Sequence, residues 1–240
     1  MRKTAEILGV PFDVVTMTNA VEKVMQFFDD GKKHIVCTPN PEIVMEAQKD
    51  KQLMQILKAA DLVVADGVGI VWASKHSKDK LPERVSGYDL TQSLFTKMEK
   101  GEKSVYFLGG TPGTAASAAK KIKKKHPGLN VVGYRNGYFS SKEEREIILE
   151  IKSRNPDLLL VGLGSPKQEK WIYENLRIMG VKVAIGVGGS FDVMSGKVKR
   201  APFIFQKLGL EWFYRLVCQP KRAKRMLKLP KFVLKVLISK

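Results

Sequence analysis

Asp66 directly follows the apolar run Leu62–Ala65 and precedes Gly67-Val68-Gly69. A carboxylate at the end of such a run, beside two flexible glycine positions, meets little that would neutralise it. It could take a proton from an attacking hydroxyl. Aspartate at this place also caps helices, so both roles stand open. Thr38 and Asn40 leave an earlier apolar run, His34–Cys37, and could flank the same cleft or simply turn the chain between Pro39 and Pro41. Three more loops follow apolar runs: Gly109-Gly110-Thr111-Pro112-Gly113-Thr114, Gly162-Leu163-Gly164-Ser165-Pro166-Lys167-Gln168-Glu169 and Gly188-Gly189-Ser190-Phe191-Asp192. Glycine lets backbone N–H groups approach a ligand closely, and a helix N-terminus behind such a loop favours negative charge. Two of these loops together suit a diphosphate, although a tight strand-to-helix turn needs glycine as well.

Missing motifs narrow the chemistry. There is no G-x-x-x-x-G-K-[ST], which weighs against a P-loop nucleotidase, and Gly109–Gly113 is not G-x-G-x-x-G, which weighs against a dinucleotide oxidoreductase. No two aspartates are separated by one residue, so the carboxylate pair that often holds a metal on a sugar diphosphate is absent, and His34, His76 and His126 are scattered. A diphosphate would have to be met by protein cations and backbone dipoles, with no metal and no cofactor. Arg84, Arg215, Arg222 and Arg225 are the obvious cations, because guanidinium grips phosphate with two prongs.

These residues need a frame. His34–Cys37, Leu62–Ala65, Ser104–Leu108, Asn130–Gly133, Leu158–Val161 and Val181–Val187 read as strands, separated by amphipathic stretches such as Pro41–Ala60, Ala115–Lys125, Lys142–Ser153 and Gln168–Met179. Continuously apolar strands indicate a sheet covered on both faces. Strand–helix alternation then predicts an α/β fold, a doubly wound, mainly parallel Rossmann-like sheet whose ligands bind outside the carboxyl ends of the strands. Glu6–Thr16 suggests an extra hairpin turning at Gly9 and Pro11, and Thr18 a cap for a helix running to Gly31. Cys37 and Cys218, both in apolar surroundings, read as buried thiols of a reducing compartment.

The strand rhythm stops near Ser195, which divides the chain into a catalytic α/β domain, 1–195, and a basic, mostly helical C-terminal appendage, 196–240. Of the net charge of +18, the stretch from Lys197 to the end contributes 13 Lys and Arg against a single acid, Glu211. Such a tail expects polyanions as partners. Pro220 suits a helix start and Pro230 a kink. At about 100° per residue, Lys224, Lys228, Lys231 and Lys235 share a narrow stripe with Met226, Leu229, Val233, Val236 and Leu237 opposite. This pattern suits a helix lying on an anionic membrane, and equally one packed on its own domain with a solvated lysine face. The N-terminus, interrupted by Glu6 and Asp13, is unlike a signal peptide, and no segment has the uncharged length to span a bilayer. The expectation is a cytoplasmic protein held on the membrane by charge.

Several blocks together carry a resemblance. Asp66-Gly67-Val68-Gly69, Arg84-Val85-Ser86-Gly87-Tyr88-Asp89, Gly162–Glu169, Gly186–Asp192, Arg200-Ala201-Pro202 and Gly209-Leu210-Glu211-Trp212-Phe213-Tyr214-Arg215-Leu216, followed by Pro220, Arg222 and Arg225, resemble the signature blocks of the WecG/TagA/CpsF glycosyltransferases, in family order over most of the chain. The basic tail most resembles the TagA branch. That resemblance implies transfer of N-acetylmannosamine from its UDP donor to undecaprenyl-diphosphate-linked N-acetylglucosamine, the step that makes the linkage unit of wall teichoic acid. A sister branch uses the corresponding mannosaminuronic acid donor. Partners are then a UDP-sugar, a polyprenyl-diphosphate-linked acceptor and an anionic membrane face, with a homo-oligomer left open. The implied reaction is an inverting, metal-independent displacement. Asp66 is its base, Thr38 and Asn40 position sugar hydroxyls, and Gln168 with the Gly109, Gly110 and Gly164 loops holds the donor. Arg84, Arg215, Arg222 and Arg225 stabilise the diphosphates. A basic nucleic-acid-binding α/β protein is the rival from another class. The aromatic residues Phe203, Phe205, Trp212, Phe213 and Tyr214 read as docking anchors rather than a stacking platform.

Overall fold

A computed structural model describes residues 2–101, 103–207, 209–218 and 227–239, with only the backbone of Lys207 and Arg215. The chain begins with an antiparallel hairpin of β1 (Thr4–Ile7) and β2 (Val10–Asp13), turning at Leu8 and Gly9, which both take positive φ. Pro11 lies within β2 opposite Glu6 rather than in the turn, a shift from the expected position. Helix α1 (Met17–Phe27) is capped by Thr16, whose side chain accepts from the Asn19 N–H, and it stops before Gly31. Thr18 is therefore already inside the helix.

The main sheet follows. Among the described residues it has six parallel strands: β3 (His34–Cys37), β4 (Leu62–Val63), β5 (Ser104–Gly109), β6 (Asn130–Arg135), β7 (Leu158–Gly162) and β8 (Val183–Gly186), in the spatial order β4-β3-β8-β7-β5-β6. The doubly wound α/β reading holds. The inner strands β5, β7 and β8 are fully buried because helices cover both faces, while the edge strand β6 is partly exposed. On one face lie α1, α5 (Gly87–Met98), α6 (Thr114–Lys125) and α9 (Ser190–Met194), packed against Val36, Leu62, Val105, Phe107, Leu160 and Ile185. On the other face lie two apolar clusters. The hairpin, α2 (Pro41–Ala47), α3 (Lys51–Ala59) and α4 (Val68–Ser74) build the first, and α7 (Ser141–Arg154) and α8 (Lys167–Met179) the second. The stretch Pro41–Ala60 is two helices, because Asp50 starts a second one by accepting from the Leu53 N–H.

Three more helices complete the described chain: α10 (Phe203–Lys207), α11 (Glu211–Cys218) and α12 (Lys228–Ile238). Phe232 and Val236 of α12 are buried in the same cluster as Val44 of α2 and Ile70 of α4. Pro230 sits in the first turn of α12, where its missing N–H and fixed φ cost nothing, so it helps to start a helix rather than kinking one. Pro220 lies outside the described residues. Cys37 is buried, and burial pushes its thiol up, but Cys218 is exposed, which corrects the expectation of two buried thiols.

Candidate active site

At the carboxyl end of the sheet, β8 sends the chain to α9 on one face, whereas its neighbours β3 and β7 send it to α2 and α8 on the other. Diverging exits open a crevice. A cavity of about 460 Å³ lies there, lined by the segments that follow β3, β4, β7 and β8 and closed by α11 and α12. Thr38, Asn40, Asp66, Arg84, Gly164 and Gln168 all contribute to its wall.

Asp66 follows β4 with its side chain 33% exposed. The N-cap of helix α4 is Gly67, φ 123°, so Asp66 stands one position before the cap. Arg84 approaches from the segment before α5. Its Nε lies 3.7 Å from Asp66 Oδ1, and its Nη2 donates to Glu211 Oε2 of α11 at 2.8 Å. Burial alone would lower the Arg84 guanidinium. The charges of Asp66 and Glu211, the Glu211 hydrogen bond and Asp89 outweigh burial and hold it above its ordinary value.

The other wall residues are tied into the scaffold. Thr38 Oγ1 donates to the Gly186 carbonyl at 3.2 Å, joining the ends of β3 and β8. Asn40 does what its place before Pro41 allowed: its Oδ1 accepts from the Ile43 N–H at 3.0 Å and caps α2. Gln168 Oε1 accepts from the Gly188 N–H at 3.0 Å, while its Nε2 donates to Glu169 Oε1 at 2.8 Å. Gln168 thereby clamps the β7 loop to the β8 loop. Glu169 beneath it is buried, and that burial holds its carboxyl above the usual range. Ser86 caps α5 and donates to Asp89, whose two oxygens each accept from Arg200 Nη2 at 2.7 Å. The Arg200 guanidinium lies 4.7 Å from the centre of the Tyr88 ring. The sequence blocks Arg84–Asp89 and Arg200–Pro202 are therefore one structural unit that holds Ser86 and Tyr88 at the cavity.

Other candidates fall elsewhere. Gly109 and Gly110 are not part of this cavity wall. Gly109 takes φ 142°, and a Cβ there would overlap the Gly162 backbone; Gly110 takes φ 69° against Thr114. Close packing explains both, Gly109 against the end of β7 and Gly110 against the first residue of α6. Lys228 pairs with Glu46, and Lys235 Nζ donates to Gln48 Oε1 at 2.9 Å, so these two lysines contact α2 or the residue after it, while Lys231 is exposed. The Arg215 side chain, Arg222, Lys224 and Arg225 lie outside the described residues. Sequence patterns gave no role to Ser86, Tyr88, Glu46 or Glu211. For Glu211 a signal existed, since it is the one acid in the basic tail.

Comparison with known proteins identifies a family. Residues 5–240 match the family described as Glycosyl transferase WecG/TagA/CpsF family. A protein of Bacillus spizizenii is 40% identical over 211 residues, 88% of this chain and 81% of its own. One of Bacillus subtilis is 35% identical over 237 residues, covering 98% and 91%, and one of Staphylococcus aureus is 35% identical over 237 residues, covering 98% and 92%. Each of the three is named N-acetylglucosaminyldiphosphoundecaprenol N-acetyl-beta-D-mannosaminyltransferase.

Proposed function

The chain belongs to the WecG/TagA/CpsF glycosyltransferase family, and from that premise we propose that it transfers N-acetylmannosamine from UDP-N-acetylmannosamine to the 4-hydroxyl of undecaprenyl-diphosphate-linked N-acetylglucosamine. The product would be the disaccharide linkage unit of wall teichoic acid. The observation that carries the reading is Asp66, a carboxylate in the cavity wall directly after β4 that faces a guanidinium. In the proposed step the acceptor oxygen bonds to the anomeric carbon and gives its proton to Asp66. The bond to UDP breaks with its electron pair, and the configuration inverts. Thr38 and Asn40 flank the sugars, and Gln168 with Gly164 borders the donor. Arg84 meets diphosphate charge together with Arg215, Arg222 and Arg225, which takes the place of a metal.

We treat 1–195 as the catalytic domain and 196–240 as an appendage that completes the site and rests on the inner face of the cytoplasmic membrane. No described helix is long and apolar enough to cross a membrane. Phe203, Ile204, Val217, Leu227, Leu234 and Ile238 nevertheless stand exposed along the C-terminal helices, and such side chains suit a shallow lipid contact beside exposed lysines. The test is a transfer assay with a water-soluble, short-chain acceptor. UDP-N-acetylmannosamine should give disaccharide in EDTA, and the uronic acid donor should not. Activity that disappears in EDTA and returns with magnesium would overturn the metal-free step.

A further inference from the structure

Burying a carboxylate costs desolvation, and an apolar side chain of the same length would fill the space without that cost. Glu169 is nevertheless only 4% exposed, and among the described residues it forms no ion pair and does not line the cavity. Its Oε1 accepts from Gln168 Nε2 at 2.8 Å. The orientation of that amide follows from its other end. The Gly188 N–H can only donate, so the atom 3.0 Å from it is Oε1, and Nε2 is left pointing at Glu169. Gln168 is buried as well, so Nε2 needs an acceptor there, because a buried N–H without one is costly. Gly186 makes room for it: a Cβ on Gly186 would stand 2.7 Å from Nε2.

We propose that Glu169 is a positioning residue for the donor site: it holds the Gln168 amide in the one orientation that ties the β8 loop to the β7 loop. The inference rests on the donor lying against Gln168 and Gly164. Gly188, Gly189 and Ser190 line the cavity. Two hydrogen bonds among the described residues tie their segment to β7 and the loop after it. The Val187 N–H donates to the Val161 carbonyl at 2.8 Å, and the Gly188 N–H donates to Gln168. Without an acceptor at position 169, Nε2 turns to find another, Oε1 leaves Gly188, and the second tie is lost. The donor must then order the loop itself, which lowers its affinity. Asn40 and Asp66 follow β3 and β4 and keep their places, so binding of the acceptor should be spared. Either protonation state of Glu169 serves, because Oε1 accepts as a carboxylate or as a carbonyl oxygen.

The experiment compares full-length wild type, Glu169→Met, Glu169→Gln, Gln168→Leu and the double variant Gln168→Leu with Glu169→Met. It reads UDP affinity by calorimetry, melting temperature without ligand, and KM for the donor and for the short-chain acceptor. Glu169→Met should bind UDP about tenfold more weakly and raise donor KM to match. Its acceptor KM and kcat should change little, and its melting temperature should stay within a few degrees of wild type. Glu169→Gln should remain near wild type, since its side-chain oxygen can still accept from Nε2. In the Gln168→Leu background, Glu169→Met should cost no further affinity, because no amide is left to orient. That comparison also decides the matter if Glu169→Met alone folds poorly. Wild-type UDP affinity in Glu169→Met would overturn the proposal. So would a further loss in the double variant, or equal weakening of both substrates with a large fall in melting temperature, the mark of ordinary core packing. If wild type itself binds no UDP, the donor reading fails, an outcome distinct from the others.

Discussion

The α/β body and the C-terminal helices use apolar residues in opposite ways. In the body, β5, β7 and β8 are buried along their whole length, and α1, α2, α3, α5 and α7 each start on a side-chain cap. Most of its apolar side chains are buried in three clusters, with Tyr138, Leu149 and Ile178 among the exceptions. From α10 onward, Phe203 is 75% and Ile238 72% exposed, while among the described residues Glu211 reaches Arg84, Phe232 and Val236 join the α2–α4 cluster, and Lys228 and Lys235 bond to Glu46 and Gln48. The C-terminal helices contribute to the cavity wall and leave most of their described apolar side chains exposed.

That contrast separates chemistry from attachment, and the largest effect should fall on the body side. Asp66→Ala should lower turnover by roughly 100- to 10,000-fold, the range for loss of a general base, while its melting temperature and its binding to anionic vesicles stay at wild-type values. A variant that also left the vesicles would mean that the two regions are one functional unit. Next comes the inward contact of α12. Phe232→Ala removes a fully buried ring at the cluster shared with α2 and α4. It should weaken docking of α12 by about 3 kcal/mol or more. Hydrogen exchange should then quicken in 228–238 while β5, β7 and β8 keep their protection. Uniform acceleration through the sheet would show that the C-terminal helices are part of the core after all.

The sequence exposed the body well because each strand is an uninterrupted apolar run with glycine or proline beyond it, a signal that depends on near neighbours alone. The loops that line the cavity were visible for the same reason. What it concealed depends on contacts between distant segments. Glu211 meets Arg84 across 127 positions, and Arg200 meets Asp89 across 111. Helix α12 is the instructive case. A wheel drawn around its lysines puts Val236 on the opposite side, yet Phe232, the largest apolar side chain of the helix, decides which face turns inward. Once Phe232 and Val236 are buried, Lys228 and Lys235 flank that seam and bond to Glu46 and Gln48, leaving Leu234 and Ile238 outside. Pro11 shows the same limit in small: its place in β2 depends on the Leu8-Gly9 turn, which sets the register.

The smallest expected effect tests the outer face alone. Leu234→Ser with Ile238→Ser changes two exposed side chains of α12 that do not line the cavity. Exposed positions of this kind usually shift stability by no more than about 0.5 kcal/mol, so the melting temperature and turnover with the short-chain acceptor should hold. Partial insertion of each side chain into lipid is worth on the order of 1 kcal/mol, so partition onto anionic vesicles should fall by roughly ten- to thirty-fold. Because the lost interaction is apolar, the deficit should persist at high salt, where lysine attraction is screened. Replacing exposed Lys231 by Gln should give the opposite dependence, a deficit at low salt that fades as salt rises. If the serine pair binds vesicles as well as wild type at every salt concentration, the outer face does not meet lipid, and its exposed side chains need another partner.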